Sequence, residues 1–497
     1  MTLHRLHPDD DVAVTLADLP AGATVFVDNE PLVTRAAIPF GHKVALRAIA
    51  PGQPVRKYGE IIGQTTISIL PGDHVHTHNL ASPPAPPASP LPLSASPRPP
   101  LAPAPLLSAS CPLPPAFPGY PRPTGPAGCR NYVVVIPASI CANEMARRIA
   151  DRLPGAIALP HGHGCCQMGA DLATTRRTLA GLGKHPNVAA ALVVGLGCET
   201  LSAAELAADI APARPVEVLV IQEAGGSRPA IERGRELLQP LLADAARLLR
   251  APCPVADLIL ATECGGSDAT SGLAANPLVG RLADAVVNAG GTVLLSEAAE
   301  LMGAEHILAR RAVCPEVGER VWAITAAAQA VAQGMGVDLR GAQPTPGNLA
   351  GGITTIEEKS LGCVLKAGST PLQGVLAYAE GPPGRGLYVM DTPGQDAESI
   401  TGMVAGGAQV VVFTTGRGTP LGFPIAPVLK LTANARTWAA QRDDLDFSAA
   451  DLIERTTDVE MLARSLAGLL WAVLAGQPTA AERWPGEVAI HRLARTV

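Results

Sequence analysis

Apolar residues recur along the chain in two rhythms, and the change of rhythm divides it. In residues 1–80 they come as short β-branched runs, Val12–Leu16, Thr24–Val27, Lys43–Arg47 and Thr65–Ile69, each closed by a Gly/Pro turn. That pattern predicts a small β domain. From residue 119 onward the runs become continuous: Tyr132–Ile136, Ala189–Val194, Val216–Ile221, Ala256–Ala261, Thr292–Ser296, Gly386–Met390 and Gln409–Phe413. Such runs suit strands buried on both faces of a parallel sheet. Helical stretches at Glu144–Leu153, Pro229–Leu249 and Pro277–Asn288 lie between them, and the alternation predicts a doubly wound α/β body. In such sheets ligands sit beyond the carboxyl ends of the strands. Between the two regions, residues 81–118 contain 15 prolines in 38 positions and read as an extended spacer. The expected organisation is a β head (1–80), a linker (81–118), a central α/β domain (119–380) and a C-terminal Rossmann-like domain (381–497).

Composition narrows the class. The 497-residue chain is 47% hydrophobic and 16% charged, with a net charge of −6, which excludes a disordered chain and a basic nucleic-acid binder. Aromatics at 3% leave little to stack on bases. No run approaches the length of a membrane helix, and the start carries no apolar signal segment. The ten cysteines are scattered without a C-x-x-C pair, so a reduced, cytoplasmic protein is expected. An 80-residue β unit with few large apolar groups is marginal alone, so the head is expected to dock.

Reactive side chains gather where the strands are expected to end: Cys198-Glu199, Glu263-Cys264 with Ser267-Asp268, Ser296-Glu297, Asp391 and Arg417. A further turn, Pro160–Gln167, carries His161, His163, Cys165 and Cys166. The head closes with His74, His76 and His78 in alternation, which on a strand would share one face and could grip a metal. Mixed Cys, His and carboxylate donors favour iron or zinc over magnesium. The chain uses 32 arginines but only six lysines. Lysine, unlike arginine, can lose its proton when desolvated. Lys43, Lys57 and Lys359 lie in polar turns and are read as functional; Lys184, Lys366 and Lys430 are set aside as chance.

These residues resemble the altronate/galactarate dehydratase family. The head matches its SAF (β-clip) domain through Ile38-Pro-x-Gly41-His42-Lys43, Lys57-Tyr58-Gly59 and Gly72–Asn79. The body matches through Arg130-Asn131-Tyr, His161-Gly-His163-Gly-Cys165, Gly195–Glu199, Cys264–Asp268, Ala275-Asn276-Pro, Thr354–Cys363 and Phe413–Gly418. Cys129 and Cys166 depart from it, the latter standing where glycine is expected. The resemblance implies loss of water from a sugar acid to a 2-keto-3-deoxy acid with a divalent metal, Fe2+ ahead of Mn2+ or Mg2+. It gives His42, Lys43, Lys57, Tyr58, His163 and Lys359 as catalytic candidates. Arg130, Asn131, Ser267, Asp268, Asn276, Glu358 and Arg417 are the candidates for holding substrate, and His76, His78, Cys165 and Cys264 for holding metal. A small-molecule sugar acid is the expected partner, with no nucleic acid or membrane and with self-association left open. Competing readings are a sulfolactate sulfo-lyase, a carbohydrate-binding protein without catalysis, and an iron–sulfur dehydratase using Cys165, Cys198, Cys264 and Cys363.

Overall fold

The computed structural model describes residues 3–28, 30–83, 113–454 and 456–493. Most of the proline-rich segment lies outside these residues. In the head, β1 (Leu3–His4), β2 (Val12–Thr15), β5 (Lys43–Ala45) and β8 (His74–Val75) form a four-stranded sheet in the order β1-β2-β5-β8. Strands β3 (Thr24–Val27) and β4 (Glu30–Val33) make a hairpin, and β6 (Pro54–Lys57), β7 (Glu60–Thr65) and β9 (Leu80–Ala81) a third small sheet. The run Thr65–Ile69 does not extend as a strand, because β7 ends at Thr65, whose hydroxyl turns back to Ala50 O at 2.6 Å.

The body opens with β10 (Ala116–Gly119), antiparallel to β15 (Ala251–Pro254). The last residues assigned to the linker are thus strand, since Phe117 packs into the core. A parallel sheet follows, ordered β12-β11-β13-β14, from β11 (Tyr132–Pro137), β12 (Ala156–Ala158), β13 (Val188–Gly195) and β14 (Val216–Val220). The second sheet has seven parallel strands: β16 (Ile259–Cys264), β17 (Thr292–Leu295), β18 (Leu372–Leu376), β19 (Gly386–Met390), β20 (Val410–Thr414), β21 (Val428–Thr432) and β22 (Phe447–Ser448), ordered β18-β19-β17-β16-β20-β21-β22. The expected boundary at residue 380 is therefore corrected: β16 pairs with both β17 and β20, so one sheet spans that position. The division falls between β14 and β16 instead.

The head does dock. Val12, Val55, Ile62, Val75 and Leu80 join one apolar cluster with Leu278, Val279 and Leu361 of the body. The polar part of the contact is fully desolvated. Lys43 Nζ donates to Gly352 O, Thr354 Oγ1 and Glu358 Oε2 at 2.7–2.8 Å, and Lys57 Nζ to Glu358 Oε1 at 2.8 Å. Both amines and the carboxylate are at most 1% exposed.

Candidate functional site

The helix Ile356–Cys363 joins the docked head to the chemistry of the body. Thr355 caps it, its hydroxyl accepting from Glu358 N–H and donating to Ile62 O of the head. One face of this helix offers Glu358 to the two head lysines. Another carries Lys359 and Cys363 towards the carboxyl ends of β16 and β17.

There a buried group assembles. Cys264, the last residue of β16, has its sulfur 3.7 Å from Cys363 Sγ, 3.4 Å from Glu300 Oε2 and 3.5 Å from Glu297 Oε2. Lys359 pairs with Glu300 at 2.6 Å, and Lys366 with Glu297 at 3.3 Å. Glu263 Oε2 accepts from Ser296 and Ser399 at 2.8 and 2.6 Å, leaving its Oε1, like Glu297 Oε1, buried without a partner among the described residues. Asp396, half-buried, completes a second triad with Glu263 and Glu297. Glu297 adopts a left-handed backbone, φ 67°, a conformation that costs a non-glycine residue energy and recurs at functional sites.

Burial drives the protonation. Glu297 is pushed up to about 7 by desolvation and then by Glu300, and Asp396 to about 6 by the same two causes. Glu263 is raised well above the usual carboxylate range by burial and by Glu297. The neighbouring Cys363 thiol and burial raise Cys264. Desolvation alone would depress Lys366, but Cys264, Cys363 and Glu297 more than offset it and hold it charged.

This group fits a metal ion. Cys264, Glu297, Glu300 and Cys363 each offer a donor atom within 4.8 Å of the others. Burial and crowding without a cation are what hold Glu263, Glu297 and Asp396 towards their protonated forms, a divalent cation would favour their ionised forms, and two buried carboxylate oxygens lack a partner among the described residues. Thiolate with carboxylate suits iron or zinc better than magnesium.

The loop after β16 leads from this group to a cleft. Gly265 permits the passage, since a Cβ there would lie 2.2 Å from Asp396 Oδ2. The cleft, of about 300 Å³, has one wall from the head (Asp18, Phe40, Gly41) and the other from the body (Asp268, Thr270, Arg417, Asn434, Arg436). Arg436 reaches across to Asp18 at 2.9 Å. Arg417 is exposed, and no hydrogen bond or ion pair from its guanidinium occurs among the described residues.

Several expectations need correction. Arg130 is no substrate ligand: its guanidinium is spent on Glu482 and on the carbonyls of Cys129, Val473 and Gln477. Asn131 is consumed by Arg122 and Ala245 O, and Asn276 by Gly362 O and Thr414. Glu358 holds lysines rather than substrate. Lys43 and Lys57 are fully buried and clamped on Glu358, and Tyr58 packs its hydroxyl against Gly272. Asp268 lines the cleft, but four hydrogen bonds from Thr270, Ser271 and Asn434 saturate its carboxylate. Ser267 contributes a carbonyl to Asn348.

The expected metal set does not form one site. Cys264 finds Cys363, Glu297 and Glu300. Cys165 lies after β12 of the other sheet, 3.8 Å from Cys166, and His163 there binds Ile490 O. His76 and His78 stay in the head with His42 and His74. The same separation removes a cluster shared by Cys165, Cys198, Cys264 and Cys363. Cys166 has φ 54°, a conformation that explains why glycine would be at home there. Lys366, set aside as chance, is a buried member of the site. Glu300 and Asp396 were not singled out, because each stands alone in sequence and only the sheet order brings them to Cys264.

Comparison with known proteins agrees with this architecture. Residues 1–83 match the altronate/galactarate dehydratase SAF domain, 119–246 the D-galactarate dehydratase/altronate hydrolase second domain, and 255–495 the D-galactarate/altronate dehydratase C-terminal domain. Altronate dehydratase of Escherichia coli is 36% identical over 90% of both chains. The chain belongs to the D-galactarate/altronate dehydratase family. Within reach of this family, galactarate dehydratase (L-threo-forming) of E. coli is 33% identical over 97% of this chain and 94% of its own. The beta subunit of (2R)-sulfolactate sulfo-lyase from Chromohalobacter salexigens is 38% identical over 74% of this chain and 94% of its own. No helix among the described residues is long and apolar enough to cross a membrane.

Proposed function

We propose that the chain dehydrates a sugar acid of the altronate or galactarate type to a 2-keto-3-deoxy acid, at the cleft between head and body. Membership of a dehydratase family makes it a hydro-lyase. The observation that supports this place for the reaction is the Cys264–Cys363–Glu297–Glu300 group, joined by the Gly265–Asp268 loop to a cleft with a free arginine. Cys264, Cys363, Glu297 and Glu300 would hold the divalent ion, Fe2+ in our reading. When bound it supplies Lewis-acid neutralisation of the charge that develops on the substrate carboxylate.

The chain's own residues do the rest. Arg417 anchors a carboxylate by a charge-assisted fork. Asp396 is the one member of the acidic triad that is not fully buried. Held near 6, it can take and return a proton at neutral pH. It removes the hydrogen on the carbon next to the carboxylate and delivers it to the departing β-hydroxyl, so one water leaves and the carboxylate is regenerated. The remaining enol ketonises. Lys359 holds Glu300 ionised, and Lys366 opposes the desolvation that raises Glu297.

The likeness of the body to a sulfo-lyase subunit supports a second reading, elimination of sulfite from sulfolactate. One anaerobic assay separates the two. Altronate, galactarate and sulfolactate are incubated with added Fe2+, Mn2+ or Mg2+, and 2-keto-3-deoxy acid and sulfite are measured. Keto-deoxy acid from a sugar acid is the expected product; sulfite alone, or no turnover of any sugar acid, refutes the proposal.

A further inference from the structure

The four-stranded parallel sheet of the body carries thiols that the dehydratase machinery leaves unused. Cys141 follows β11, Cys165 and Cys166 follow β12, and Cys198 follows β13. The chain places β12 on one side of β11 and β13 on the other, so these turns surround the crevice that such sheets open beyond their strand ends. Cys141, Cys166 and Cys198 are exposed and Cys165 is half-buried, whereas Cys129, Cys253, Cys264 and Cys363 are buried.

Two of these thiols are held together. Along an extended chain successive side chains point to opposite sides, but Cys166 has a left-handed φ of 54°, and its sulfur lies 3.8 Å from that of Cys165. The turn around them is fixed from three directions. From the side of β13, Thr200 Oγ1 accepts from Cys166 N–H at 3.0 Å, and Leu201 N–H donates to Gly164 O at 3.1 Å. From the side of β11, Ile140 N–H donates to His163 O at 2.8 Å. From the C-terminal segment, Ile490 O meets His163 Nε2 at 2.9 Å. Thiols held side by side in a fixed turn react with each other far faster than the same thiols free in solution. Glycine would suit the backbone at position 166, so the second thiol is an addition to this turn and not a requirement of its shape.

We propose that Cys165 and Cys166 form a reversible oxidation site, a dithiol that hydrogen peroxide converts to a disulfide between adjacent residues. One thiol, as its thiolate, attacks the peroxide and becomes a sulfenic acid with release of one water. The other sulfur displaces a second water and closes the S–S bond. Two thiols and one peroxide thus give one disulfide and two waters, the sulfurs being oxidised and the peroxide reduced. A small dithiol reverses the reaction by exchange and leaves as its own disulfide. The Cα atoms of adjacent residues are about 3.8 Å apart across a trans peptide, against roughly 4.4–6.8 Å in ordinary disulfides, and a bridge outside that range is strained and readily reduced. Cys264 and Cys363 are as close, 3.7 Å between sulfurs, but their burial shields them from the oxidant.

The test uses the full-length protein as purified, with dilute hydrogen peroxide as the probe. After oxidation the remaining thiols are alkylated, the protein is digested, and each cysteine-bearing peptide is weighed. The peptide holding Cys165 and Cys166 should escape alkylation and be lighter by two hydrogens, and dithiothreitol should restore both thiols. Cys166→Gly, which the left-handed backbone accepts, should keep the circular dichroism spectrum of wild type and stop at a sulfenic acid on Cys165, trapped by dimedone. Cys264→Ser/Cys363→Ser should form the bridge as wild type does. Alkylation of both thiols after a peroxide dose that fully oxidises free glutathione overturns the proposal. So does a bridge from either sulfur to Cys141 or Cys198, or one that survives dithiothreitol. Loss of the bridge in Cys264→Ser/Cys363→Ser also overturns it, since the oxidation would then run through the thiol–carboxylate group. No readout depends on turnover, so the outcome is independent of the dehydratase assay.

Discussion

Glu358 faces two ammonium groups with no solvent between them, and removing its charge would strand both. Glu358→Gln is expected to cost about 3–5 kcal/mol, the loss typical of breaking one side of a buried ion pair, read as a lower denaturant midpoint. The lysines hold Glu358 down to about 2 against the ordinary 4.5, overcoming the desolvation that would raise it. A depressed carboxylate stabilises the fold above its unfolded value, and the benefit drains away as pH falls from about 4.5 towards 2. Wild type should therefore lose midpoint across that window more steeply than Glu358→Gln. Asp396 stands at the opposite pole. Asp396→Asn should lower kcat by about 10²–10⁴-fold while leaving the thermal midpoint and the metal content of Cys264 and Cys363 nearly unchanged. Arg130 shows why a motif read from residue type can mislead. An Arg-Asn pair is equally suited to gripping a carboxylate or to stapling carbonyls, and only the position of Val473, Gln477 and Glu482 decides. Lys366 misled in the other direction, because nothing near it in sequence announces the thiols and carboxylates around it.

At the scale of elements, the strands were legible and the site was half so. Gly386–Met390 appears as read, and the other long apolar runs shift by one to three residues, because continuous Val/Leu/Ala runs leave little doubt about what is buried. Strands β18 and β21 were not anticipated: Leu372–Leu376 and Val428–Thr432 interrupt their apolar runs with glutamine, glycine or lysine. The rule that ligands lie beyond strand ends did point to Cys264 at the end of β16 and Glu297 after β17. Applied to the turn after β19 it stopped at Asp391, short of Asp396, which opens the following helix. The Gly265 turn makes that convergence testable. In Gly265→Ala the new methyl must displace the Asp396 carboxylate, 2.2 Å away, so turnover should fall at least tenfold while the far-ultraviolet circular dichroism spectrum stays that of wild type.

Seen whole, the molecule places one wall of its cleft on a domain that the sequence separates from the rest by a proline-rich segment. The docking of that domain was foreseeable from its thin core, but its orientation depends on Glu358, Gly352 and Thr354, which are some three hundred residues away. A body lacking residues 1–83 should keep the thiol–carboxylate group yet lose turnover, because Asp18, Phe40 and Gly41 are gone from the cleft. Metal retention with no product is the expected pair of results, and undiminished turnover would show that the head wall is dispensable.

The left-handed backbone at Glu297 carries a consequence for anyone who tries to improve this protein. Glycine at that position would relieve the torsional cost, but it would strand the fully buried Lys366 ammonium that Glu297 pairs with at 3.3 Å. A library ranked by heat resistance would therefore keep the strained glutamate, and only a change that also neutralises position 366 would free the backbone, at the expense of the chemistry.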